Sequence, residues 1–231
     1  MRSIQTSARW TGALYFAFTI VGLVDMLGFT GFLVAGDATA TARNVLAREL
    51  IYRLGVLTDL VALLLFVFLV VSLYRLLEGT DRTLAMLMVI LVGVGVAVGL
   101  ANLLTKIAPL ILLSGAHYLS VFSKPQLDAL SLGLLDLNAE GNTVCAVFWG
   151  LWLFPFGILV IRSGFFPRVL GILLLVAGSA YLTTSVVSIV LPAQGDAVSR
   201  VAMPFLLGEF PIIFWLLFKG ARPPRTQAQS T

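Results

Sequence analysis

The sequence predicts an all-α fold: a bundle of six transmembrane helices with one or two short interfacial helices on its outer side. Three observations predict it. Of 231 residues, 59% are hydrophobic and 11% charged, with a mean hydropathy of +1.03, whereas soluble domains carry about 25% charged residues. Six stretches reach or approach the roughly 20 apolar helical residues that cross a hydrocarbon core about 30 Å thick. Lys and Arg gather at the ends of those stretches. No hydrophilic run is long enough for a separate soluble domain of about 50 residues. Residues 1–220 therefore read as one transmembrane domain, and residues 221–231 as a flexible cytoplasmic tail.

The first span is expected over residues 11–35. Arg2 and Arg9 ahead of it, and Ala38-Thr39-Ala40 behind it, also suit a cleaved signal peptide. Its roughly 25 apolar residues exceed an h-region of about 7–15, which favours a span. The second falls over 51–77 and the third over 84–114, where Pro109 should bend or end the helix. The fourth, fifth and sixth fall over 142–161, 168–191 and 204–218. The sixth is short and contains Pro204 and Pro211.

Orientation follows the excess of basic residues on the cytoplasmic side. Arg2, Arg9, Arg75, Arg82, Arg162, Arg168, Lys219, Arg222 and Arg225 fall on one side, against Arg43, Arg48, Arg53, Lys124 and Arg200 on the other. Both termini should therefore be cytoplasmic. The inner connections are two tight hairpins, 78–82 and 163–167, with Pro167 suited to a first helical turn.

The outer connections are longer. Ser123-Lys124-Pro125-Gln126 reads as a capping box. Leu127, Leu130, Leu134 and Leu137 then recur at helical spacing, with Asp128, Ser131 and Asn138 polar and Gly141 as a left-handed cap. Residues 123–139 should form an interfacial helix with the Leu stripe buried and Asp128 in water. Residues 36–50 form a candidate second one, started by Asp37, Thr39 or Thr41.

Gly95 and Gly99 are spaced GxxxG, while Gly150 with Gly157 and Gly171 with Gly178 lie one heptad apart. Small residues let membrane helices approach closely, and packing within the chain is expected here rather than a dimerisation face. The net charge of +4 sits at helix ends, which argues against nucleic acid as a partner. Cys145 and His117 are each the only residue of their kind. That excludes an internal disulfide and gives no support to zinc or paired-haem ligation, so neither metal nor cofactor is expected.

Several stretches together resemble a known family. They are Gly36-Asp37-Ala38-Thr39-Ala40-Thr41-Ala42-Arg43-Asn44 with Arg53, Asp59 and Tyr74-Arg75; Tyr118-Leu119-Ser120-Val121-Phe122; and Phe148-Trp149-Gly150-Leu151-Trp152-Leu153-Phe154-Pro155-Phe156-Gly157. Arg162-Ser163-Gly164-Phe165-Phe166-Pro167-Arg168-Val169-Leu170-Gly171, Gly208-Glu209 and Trp215-Leu216-Leu217-Phe218-Lys219-Gly220 fit as well. Over nearly its whole length the chain resembles the DUF4386 family, bacterial multi-pass membrane proteins of unassigned function. The resemblance implies a six-helix module in the bacterial cell (inner) membrane, and brings no catalytic residues.

Chemistry is expected where charge falls inside the membrane. At 1.5 Å per residue, Asp25 lies about 22 Å from the cytoplasmic start of its helix, and Asp59 about 22 Å from the inner end of its own. Asn102 and Lys106 lie about 27–33 Å along the third span, and Glu209 about 15 Å from Lys219. Asn142, Cys145, Thr183, Thr184, Ser185 and Ser188 add polar groups in the same outer half. A charge at the bilayer centre costs at least about 2.5–3.5 kcal/mol, so these groups should face the interior and pair. Lys106 with Asp25 or Asp59, and Arg53 with Glu209, are the expected pairs.

Trp10, Tyr15, Tyr74, Tyr118, Trp149, Trp152 and Trp215 suit an interfacial aromatic belt. Three functions remain open. The leading one is a non-enzymatic module that binds a small-molecule or lipid ligand, or a membrane partner, through an outer-leaflet polar cavity. A small proton- or ion-coupled transporter would favour discontinuous helices near the midplane. An intramembrane enzyme would need convergent groups around His117 or Cys145, and no nucleophile–base pair is visible in the sequence.

Overall fold

In a computed structural model that describes residues 4–28 and 31–221, helices account for nearly all of the chain. Their order is α1 (Ile4–Gly28), α2 (Ala38–Ala47), α3 (Glu49–Leu77), α4 (Arg82–Leu112), α5 (Lys124–Leu151), α6 (Leu153–Ser163), α7 (Arg168–Val190), α8 (Pro192–Leu206) and α9 (Phe210–Phe214). Among the described residues, six segments are long and apolar enough to cross a membrane: α1, α3, α4, α5 with α6, α7, and Pro192–Lys219. The fold is an all-α six-helix bundle. The expected tail lies outside the described residues from position 222 onward.

The fourth and sixth spans differ from expectation. The fourth covers Lys124 to Ser163, 40 residues, or about 60 Å of helix. Residues 124–139 are helical as expected, but they are continuous with the helix that follows rather than a separate short one, and Gly141 sits within it instead of capping it. Gln126 reaches back to the Ser123 amide at 2.8 Å. The Ser123 hydroxyl donates to the same oxygen instead of accepting a backbone amide.

The faces of this helix also differ from expectation. Asp128 is 2% exposed, with Ser131 and Leu135 buried beside it, while Leu130 and Leu137 of the expected buried stripe are 45% and 54% exposed. Lys124 Nζ meets Asp128 Oδ2 at 2.7 Å. Leu127 and Leu134 of that stripe are half-buried, and Asp136 and Glu140 are exposed.

Proline sets the breaks. Pro155 lacks the N–H that would bond the Leu151 carbonyl, and the helix turns at Trp152. Pro211 cannot serve the Leu207 carbonyl. The Phe210 amide takes that carbonyl instead, tightening Leu207–Glu209 into a 3-10 turn. After α9 the chain widens into a π-helical turn, Trp215–Lys219, closed by Gly220 N–H to Trp215 O at 3.0 Å. The sixth span is thus longer than expected, 28 residues.

The chain divides into two compact units. The first comprises Met1–Phe18, Leu65–Val96 and Thr143–Thr231. Its core is aromatic: Phe18 stacks on Phe66 at 4.9 Å, Phe66 meets Trp152 edge-on at 5.2 Å, and Trp152 stacks on Phe156 at 5.3 Å. Tyr15 and Trp152, expected in the interfacial belt, are buried here. A Cβ on Gly150 or Gly178 would stand 2.9 Å from the other's carbonyl oxygen, and Gly157 and Gly171 face each other in the same way. The glycines therefore bring α5 and α6 against α7 within the chain. Gly12 likewise lets α1 approach the Leu216–Leu217 backbone.

The second unit comprises Thr19–Leu64 and Ala97–Asn142. Its core is Phe32, Val45, Tyr52 and Leu135, with Val56, Leu110 and Leu113 packed against it. Asp37 caps α2 by accepting from the Ala40 amide at 2.8 Å. Arg48 ends α2 and separates it from α3.

Candidate functional site

The second unit gathers three charges from three helices. On α3, Tyr52 and Asp59 are seven residues apart and so share a face. On α4, Asn102 and Lys106 are one turn apart. Lys106 Nζ lies 2.6 Å from Asp59 Oδ2 and 3.5 Å from Asp25 Oδ1 of α1. The Tyr52 hydroxyl donates to the Lys106 carbonyl at 2.6 Å, which ties α3 to the backbone that carries the lysine. The three charged side chains are 18–29% exposed. Two carboxylates flank one ammonium, so the triad bears an excess negative charge when all three are ionised.

An amide interlock lies beside it. Asn102 Nδ2 donates to the Asn138 carbonyl and to Asn142 Oδ1, both at 3.0 Å. Asn138 Nδ2 returns a bond to the Asn102 carbonyl at 3.0 Å and another to Thr105 Oγ1 at 3.1 Å. The exchange leaves no room at the crossing: a Cβ on Gly141 would sit 2.0 Å from Asn102 Oδ1. Glycine is required there for close approach of α4 and α5.

Lys106 of the triad and Asn138 and Asn142 of the interlock border a cavity of about 320 Å³. Lys106, Asn138 and Asn142 supply its polar wall, and Phe32, Tyr52 and Leu135 its apolar wall. It can receive a molecule that accepts hydrogen bonds at one end and is apolar at the other.

Of the six residues singled out from the sequence, Asp25, Asp59, Asn102 and Lys106 lie together in this unit. Arg53 does not join them: it is exposed and bonded to Glu49 one turn away at 2.7 Å. Glu209, its expected partner, belongs to the first unit. There it accepts the Tyr15 hydroxyl at 2.7 Å, and the Tyr181 hydroxyl also bonds to it. Asn138 and Tyr52 were missed as site residues. Their signal was the spacing Tyr52–Asp59 on one helix and Asn138–Asn142 on another, the latter visible only once 124–163 is read as a single helix. His117, in a 3-10 turn, is exposed, and Cys145 is buried.

Comparison with known proteins gives a family and no chemistry. The profile described as "Domain of unknown function (DUF4386)" matches residues 10–220. A protein of the archaeon Archaeoglobus fulgidus, described as "Uncharacterized protein", is 36% identical over 76 residues, 33% of this chain and 44% of its own. The match thus spans less than half the length of that relative. No solved structure matches the chain.

Proposed function

The chain belongs to the DUF4386 family and is an integral membrane protein, and from that premise we propose that it is a non-enzymatic binding module for a small amphipathic ligand. The cavity of the second unit, walled by Lys106, Asn138 and Asn142 on one side and by Phe32 and Leu135 on the other, carries this reading. The two-to-one excess of carboxylate over ammonium beside it disfavours a further anion. The polar end of the ligand is therefore uncharged and accepts hydrogen bonds, as an ester or a hydroxyl does.

The family resemblance supports a bacterial cell membrane location, and the basic residues support cytoplasmic termini, an orientation that puts the cavity in the outer half of the bilayer. In a Cys145→Ala background, Lys124→Cys should react with an impermeant maleimide on intact cells. Thr80→Cys should react only after permeabilisation. The opposite pattern would invert the topology and the leaflet.

Ligand binding is tested with a photoreactive diazirine monoacylglycerol, an uncharged amphiphile. Crosslinks should map to residues 135–142 and be displaced by unlabelled monoacylglycerol. Ala139→Trp fills the cavity from an exposed position in its wall. It should lower labelling about tenfold, equivalent to about 1.4 kcal/mol, without moving the unfolding midpoint. Labelling that is indifferent to Ala139→Trp would end this reading.

A further inference from the structure

The first unit has an opening of its own, in which the cavity just described takes no part. Between the start of α1 and the end of α3 lies a groove of about 390 Å³, lined by Ser7, Trp10, Ser72 and Arg75 with Ile4 and Leu76. Thr11 Oγ and Ser72 Oγ, 2.6 Å apart, hold the two helices together at this level. Arg75 is exposed, and among the described residues it makes no hydrogen bond or ion pair. Arg162 of the unit is engaged with Asp81 at 3.1 Å and Arg9 with the Phe218 carbonyl at 3.5 Å; Arg82, Arg168 and Arg200 share the unengaged state of Arg75 but do not line the groove. Glu78, one turn beyond Arg75, forms no ion pair with it.

We propose that this groove binds the phosphodiester headgroup of an anionic membrane lipid. A guanidinium presents a planar fork of donors that matches two phosphate oxygens. Ser7 lines the same groove and can offer its hydroxyl to a remaining oxygen, whereas the Ser72 hydroxyl is taken by Thr11, which itself donates to the Ser7 carbonyl. Trp10 is 56% exposed, and an indole at a helix start is suited to headgroup depth.

The surface below the groove identifies the phosphate as a lipid's. Phe68, Val71 and Arg75 recur at i, i+3 and i+7, so one stripe of α3 runs from the cation into exposed apolar side chains. An acyl chain hanging from a phosphate at Arg75 would lie along that stripe, whereas free phosphate would leave it uncovered. Basic pockets between transmembrane helices select anionic headgroups by this combination.

The test uses the full chain in nanodiscs of equimolar phosphatidylglycerol and phosphatidylcholine, with retained lipid read by native mass spectrometry. Wild type should leave the disc carrying phosphatidylglycerol in preference. Arg75→Gln should cut that retention about fivefold, the contribution of one interfacial cation, with unchanged circular dichroism and unfolding midpoint. Arg82→Gln removes an exposed cation of the same unit that lies outside the groove, and should retain lipid as wild type does. Equal losses in the two variants would mean diffuse attraction without a site. Undiminished retention in Arg75→Gln would likewise overturn the proposal.

Discussion

Lys106→Met should be the most damaging single substitution in the second unit, lowering stability in detergent by about 3 kcal/mol or more. The lysine is the cation between Asp25 and Asp59, at 3.5 and 2.6 Å. Its loss leaves two carboxylates facing each other with no compensating charge. Asp59→Asn should cost clearly less, because Lys106 then keeps Asp25 and the pair is neutral overall. Asp25→Asn, at the longer distance, should cost least. Thermal and denaturant unfolding of the three variants gives the order. A Lys106→Met protein as stable as wild type would mean that the triad is hydrated and contributes little to the fold.

Gly141→Ala is expected to cost about 2 kcal/mol, although Ala is favoured over Gly in a helix by about 1 kcal/mol. The new methyl would overlap the Asn102 amide. That amide cannot swing away without breaking its bonds to Asn138 and Asn142. Gly133→Ala on the same helix is the control: a Cβ there meets nothing within 4 Å, so this variant should gain stability. Combining Gly141→Ala with Asn102→Ala should cost less than the sum of the two single changes, by about 1 kcal/mol. Strict additivity would show that the clash relaxes elsewhere.

The reading of the sequence succeeded where one physical quantity decides. Apolar length placed six spans, and the cost of charge in hydrocarbon sent Lys106 to Asp25 and Asp59. It failed where two helices had to be known together. Arg53 was sent to Glu209 because both carry charge, yet a carboxylate one turn away, Glu49, was nearer. Glu209 needed no cation because Tyr15 and Tyr181 supply hydroxyls to it, and no local pattern marks a tyrosine as a partner rather than as part of an aromatic belt. Gly141 looked like a helix end by residue type, and only the Asn102 side chain opposite reveals why glycine is there. The stripe of 127–137 suggested an interfacial helix with Asp128 in water, but the Asp128 carboxylate is buried and bonded to Lys124, a contact the Leu spacing does not reveal.

The exposed side of α5 makes part of the protein separable from its solvent. Leu130 and Leu137 contribute to the outward surface of α5, while Asp128, Ser131, Leu135 and Asn138 hold its inward side. A redesign for aqueous solution can therefore exchange the outward leucines for Glu, Lys or Gln, residues that keep high helix propensity, and leave the inward contacts untouched. The amide interlock and the charged triad would then be carried into water by a helix whose exterior has been rewritten.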